Sequence, residues 1–71
     1  MKSWTDRIAA MRQRIGEIAG LTVPISAEEF AKGFGVSADS VYRWMRGDMP
    51  SRKNQYRLIE IEKSLEINEE K

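Results

Sequence analysis

Asp39, Tyr42, Arg43 and Arg46 fall within one short stretch, GVSADSVYRWMRG, that begins at Gly35 and ends at Gly47. Each offers polar chemistry to a partner. A guanidinium carries its donors in a flat fork and can meet two acceptors at once, such as O6 and N7 of guanine in a major groove. Asp39 precedes Arg43 by four residues, the spacing at which a helical carboxylate can hold a guanidinium in one pose. It could equally accept from a cytosine amino group. Tyr42 could reach a phosphate or a thymine methyl. The same four side chains would also suit a solvated face with an incidental ion pair, so their placement on the helix has to decide.

Other chemistry is scarce. The 71 residues contain no His and no Cys, which removes disulfides, zinc fingers and imidazole-based catalytic sites. The adjacent Glu28 and Glu29 could suggest acid–base catalysis. They stand in the first turn of a helix, where the positive end of the helix dipole accounts for them. No nucleophile–base pair, phosphate loop or metal cluster can be assembled, so neither an enzyme, a cofactor, a metal nor a small-molecule ligand is expected.

Charge points the other way. The net charge is +1, yet residues 1–57 carry +4 and residues 58–71 carry −3. Between 43 and 57, Arg43, Arg46, Arg52, Lys53 and Arg57 face a single acid, Asp48. A local basic cluster in a near-neutral chain suggests a polyanion-binding face. No apolar run reaches membrane-spanning length and the N-terminus lacks a signal-peptide layout, so no membrane association and a cytoplasmic location are expected.

The elements that position these residues read as four short helices with no sheet, in a single domain over 1–71. Trp4, Ile8, Met11, Ile15 and Ile18 form one apolar stripe, capped by Ser3 and ended by Gly20. Ser26 and Glu29 make a capping box for a second helix, with Ile25 and Phe30 at staple spacing; it runs to about Phe34. Ser37 opens a third helix that ends at Gly47. Ser51 caps a fourth, with Leu58, Ile61 and Leu65 on one face and Tyr56, Ile59 and Ile67 roughly opposite. Residues 68–71 are expected to fray.

Advancing about 100° per residue divides the third helix lengthwise. Val41 and Trp44 share one side, flanked by Ser40 and Met45. Ala38, Asp39, Tyr42, Arg43 and Arg46 take the other. Trp44 is therefore expected in the core, anchored with Val41 against Phe30 and Phe34.

Ala31, Gly35, Val41 and Trp44, with Phe30, Phe34 and Val36 apolar between them, resemble the helix-turn-helix pattern of bacterial and phage regulators. A small residue lets the helices cross closely, a glycine takes the left-handed turn, and two apolar residues pin the second helix. With the preceding amphipathic helix, the Arg46-Gly47 to Pro50-Ser51 segment and LIEIEKSLEI, residues 4–67 look like the lambda-repressor/Cro-like (XRE-type) family. The resemblance implies a compact all-α, four- to five-helix lambda-repressor-like domain, with its motif over about 27–46. It implies a sequence-specific double-stranded DNA-binding regulator, such as a phage or bacterial repressor. The recognition helix, about 38–46, would place Ala38, Asp39, Tyr42 and Arg43 near base edges, while Arg46, Ser51, Arg52, Lys53 and Asn54 grip phosphate. Such modules usually bind as homodimers, for which Tyr56, Ile59 and Ile67 are a candidate face; packing of those residues within one monomer is the alternative.

Two positions and two segments depart from the family pattern. Ala27 stands where a phosphate-contacting Gln is common, and Glu66 where a helix-ending Gly is common. The loop over 20–25 and the approach SRKNQYR are both longer than usual. Two other readings remain open. An excisionase or MerR-like module would need QYRLIEIE as a strand of a β-wing, and an antitoxin or adaptor would use the same fold to bind protein.

Overall fold

The computed structural model describes residues 3–67 as four helices: α1 (Trp4–Ile18), α2 (Ala27–Phe34), α3 (Ala38–Met45) and α4 (Arg52–Ser64), with no strand among them. The expected fraying of 68–71 lies outside the described residues. Residues 55–62, which a β-wing would need as strand, lie within α4.

All four helices begin the same way. Ser3, Ser26, Ser37 and Ser51 hold extended backbone, and each side-chain oxygen accepts from the N–H three residues on, at Asp6, Glu29, Ser40 and Asn54. Each such cap satisfies a donor the helix cannot, for about 1 kcal/mol. Between α2 and α3, Gly35 adopts φ 85°, and the N–H groups of Gly35 and Val36 both return to the Ala31 carbonyl. Only a residue without Cβ takes that left-handed turn at no steric cost. After α4, Glu66 does the same work at φ 59°, an uncommon conformation for a non-glycine residue.

The core is built from Ile8, Met11, Ala27, Phe30, Ala31, Phe34, Val41, Trp44 and Leu58. Trp44 is 4% exposed and meets Phe34 edge-on, with centroids 6.0 Å apart; Phe34 in turn stacks on Phe30 at 6.1 Å. The expected anchoring of α3 through Val41 and Trp44 is what the structure has. α1 is tied to the end of α3 as well, since the Thr5 hydroxyl donates to the Trp44 carbonyl at 2.8 Å.

The long loop between α1 and α2 folds back along α1. Leu21 donates to the Gly16 carbonyl, Ile25 donates to the Arg12 carbonyl, and Arg12 Nε donates to the Ile25 carbonyl at 2.9 Å. A Cβ on Gly16 would stand 2.3 Å from the Val23 carbonyl oxygen. The loop can therefore lie this close to the helix only because residue 16 is glycine.

Candidate nucleic-acid interface

Burying Val41 and Trp44 turns the opposite side of α3 outward. Asp39, Tyr42, Arg43 and Arg46 are all exposed there. Ala38, expected on this face, lies at its edge: it is half-buried and packs against the core. Arg43 Nε lies 3.7 Å from Asp39 Oδ2, a loose ion pair with both side chains well exposed. In high dielectric such a pair contributes little, so the guanidinium stays available to a better acceptor.

Tyr42 is already engaged. Its hydroxyl donates to Glu28 Oε2 at 2.6 Å, across the turn between the second helix and the third. That bond holds the Glu28 carboxyl below its ordinary value and pushes the Tyr42 phenol up, with the Glu28 charge adding to the latter. At neutral pH the pair is therefore a carboxylate accepting from a neutral phenol. From the sequence alone, Glu28 is accounted for by the helix dipole. An acid in the first turn of one helix and a tyrosine fourteen positions later carried no local signal of their contact.

Past α3, the chain passes Gly47 at φ 113° and reaches the start of α4, where Ser51, Arg52 and Lys53 are exposed and Asn54 is half-buried. The Ser51 oxygen accepts from the Asn54 N–H, so Ser51 is first of all a helix cap. The opening N–H groups of α4 have no helical acceptor and, with Arg52 and Lys53 beside them, favour an anion.

Arg57 does not join this cluster as its charge suggested. Its Nη2 donates to the Phe34 carbonyl at 2.5 Å, and the guanidinium lies 4.5 Å from the centre of the Phe34 ring. It satisfies the C-terminal end of α2 and ties α4 to it.

The three residues of the candidate pairing face separate. Tyr56 is exposed and Ile59 half-buried, whereas Ile67 packs against the core of its own chain. For Ile67 the intramolecular alternative applies.

An apolar cleft of about 440 Å³ lies between α1, α2 and α4, lined by Ile15, Ala19, Ile25, Phe30, Phe34 and Ile61 with Glu29. One carboxylate on an apolar wall offers no set of convergent polar groups to orient a small substrate. Among the described residues no helix is long and apolar enough to cross a membrane, and no group of three or more acidic side chains could hold a metal ion.

No protein-family model matches the chain, and no curated protein or solved structure is significantly similar to it.

Proposed function

We propose that the protein is a sequence-specific double-stranded DNA-binding regulator of the helix-turn-helix kind, a repressor in its simplest form, acting in the cytoplasm. The observation that carries this reading is the lengthwise division of α3. Val41 and Trp44 are buried, while Asp39, Tyr42, Arg43 and Arg46 stand exposed on the other side. A helix pinned in this way can enter a major groove without disturbing the core, and Arg43 is the side chain suited to a guanine edge.

Arg46, Arg52 and Lys53, with the open N–H groups at the start of α4, are the phosphate contacts in this reading, and Asn54 supports them from a half-buried position. Two copies would read half-sites about one helical turn apart. Tyr56 and Ile59 remain as their pairing surface. The test is selection from randomised duplex DNA, with mass measured in solution with and without the enriched duplex. Enrichment of a motif bound by two chains supports the reading, and recovery of no motif counts against it.

A second reading is an adaptor that binds protein. The apolar cleft favours it, together with the exposed Ile18 and Val23 at the same end of α1. The same selection separates the two, because an adaptor enriches no duplex.

A further inference from the structure

The contact between Glu28 and Tyr42 bears on what Tyr42 can recognise. Its hydroxyl proton is already directed at a carboxylate 2.6 Å away. A phosphate oxygen brought to that hydroxyl would meet the Glu28 charge within a few ångströms, and like charges at that range repel. The phenol is thereby disfavoured as a phosphate contact. Tyr42 is 38% exposed, and with its hydroxyl engaged by Glu28 the group it can offer a partner is its ring.

The ring is also held. α2 and α3 are locked together by the Gly35 turn and the Phe34–Trp44 packing, so the hydroxyl is anchored at one end and the Cα at the other. A side chain fixed in this way loses little freedom on binding. An aromatic ring presented to a major groove finds its apolar match in the thymine methyl, the one apolar group on a base edge there.

Resting on the DNA-binding reading above, we infer that Glu28 is a positioning residue for base recognition. It holds Tyr42 so that the ring packs on a thymine methyl, and it turns the phenol away from phosphate.

The test compares selection profiles on randomised duplex DNA for the wild-type chain, Glu28→Ala, Glu28→Gln, Tyr42→Phe and the Glu28→Ala/Tyr42→Phe pair. Glu28 is exposed, so these variants should keep the fold, which circular dichroism checks. Glu28→Ala and Tyr42→Phe should relax preference at the same base pair, and the double variant should relax it no further. Glu28→Gln retains an acceptor for the phenol and should keep most of that preference. Replacing thymine by deoxyuridine at that base pair should weaken wild-type binding about three- to fivefold, the worth of one methyl group.

If the wild type enriches a motif but the Glu28→Ala profile is unchanged, the inference falls and the DNA-binding reading stands. It also falls if Glu28→Ala and Glu28→Gln strengthen binding equally on every sequence, since Glu28 would then act by charge alone, or if removing the methyl has no effect. If the wild type enriches nothing, both fall together.

Discussion

The Arg7 guanidinium closes on the Glu62 carboxylate through two hydrogen bonds, Nε to Oε2 at 2.8 Å and Nη2 to Oε1 at 2.5 Å, joining the first helix to the last across 55 positions of sequence. Glu62 is buried, and the guanidinium also lies 3.9 Å from the centre of the Trp4 ring. The fork-to-carboxylate geometry satisfies a charge that would otherwise stand desolvated in the core. The pair holds α4 in place, and α4 carries Arg52 and Lys53 at its start.

Removing one partner should therefore cost more than a surface ion pair does. Arg7→Ala is expected to destabilise the fold by about 2–4 kcal/mol, toward the lower end for a buried pair because the arginine is partly exposed. Arg7→Met with Glu62→Leu should recover most of the loss. Urea unfolding of the three proteins measures both effects, and a loss below about 1 kcal/mol for Arg7→Ala would show that the pair does not hold α4 in place.

Gly16→Ala should destabilise by about 1–3 kcal/mol, because the added Cβ meets backbone and no rotamer change can relieve it. Gly33→Ala is the control, since nothing lies within 4 Å of a Cβ built there. Thermal unfolding of the two variants should separate them, with only the first losing stability.

Trp44→Ala should cost about 3–5 kcal/mol, a large share of what so small a domain has. The expected outcome is loss of helical circular dichroism near room temperature. A Trp44 variant that stays folded and only fails to bind would place the tryptophan at the interface instead.

The Glu28–Tyr42 bond predicts a pH signature. Glu28 has its carboxyl lowered in the folded chain, so its contribution is fully present above the ordinary value of 4.5 and is lost as pH falls through the lowered one. Tyr42, raised above 10.0, contributes below that value and loses its contribution as pH rises through the raised one. Titration of the Glu28 side-chain carbon by NMR should show a midpoint below 4.5 that moves back up in Tyr42→Phe. An unchanged midpoint would show that the bond is not populated in solution.

What could be read in advance was local. Ser3, Ser26, Ser37 and Ser51 mark helix starts because capping acts over three residues, and the split of α3 follows from its periodicity. The contacts between elements could not be read this way. In the sequence Arg57 is one more surface cation, and only the packing of α4 against the end of α2 gives it the Phe34 carbonyl; Glu28 is a dipole residue, and only the placement of α3 brings Tyr42 to it. Glu62 did leave a trace. It stands four residues after Leu58 on the apolar side of α4, and an acid in such a stripe calls for a buried partner. Nothing local marks Gly16, whose need arises only when the loop over 20–25 folds back onto the helix.

The most direct measurement is the ratio of affinities for an enriched duplex and a random one, taken for the wild type, Arg43→Ala and Lys53→Ala at the same salt concentration. Loss of a base-reading arginine should lower the ratio about 5- to 150-fold, the worth of one bidentate base contact. Loss of a phosphate-gripping lysine should weaken both duplexes alike, leave the ratio unchanged and reduce the salt slope by about one unit. If Arg43→Ala instead weakens both duplexes equally, or the wild type shows no preference to lose, α3 does not read DNA.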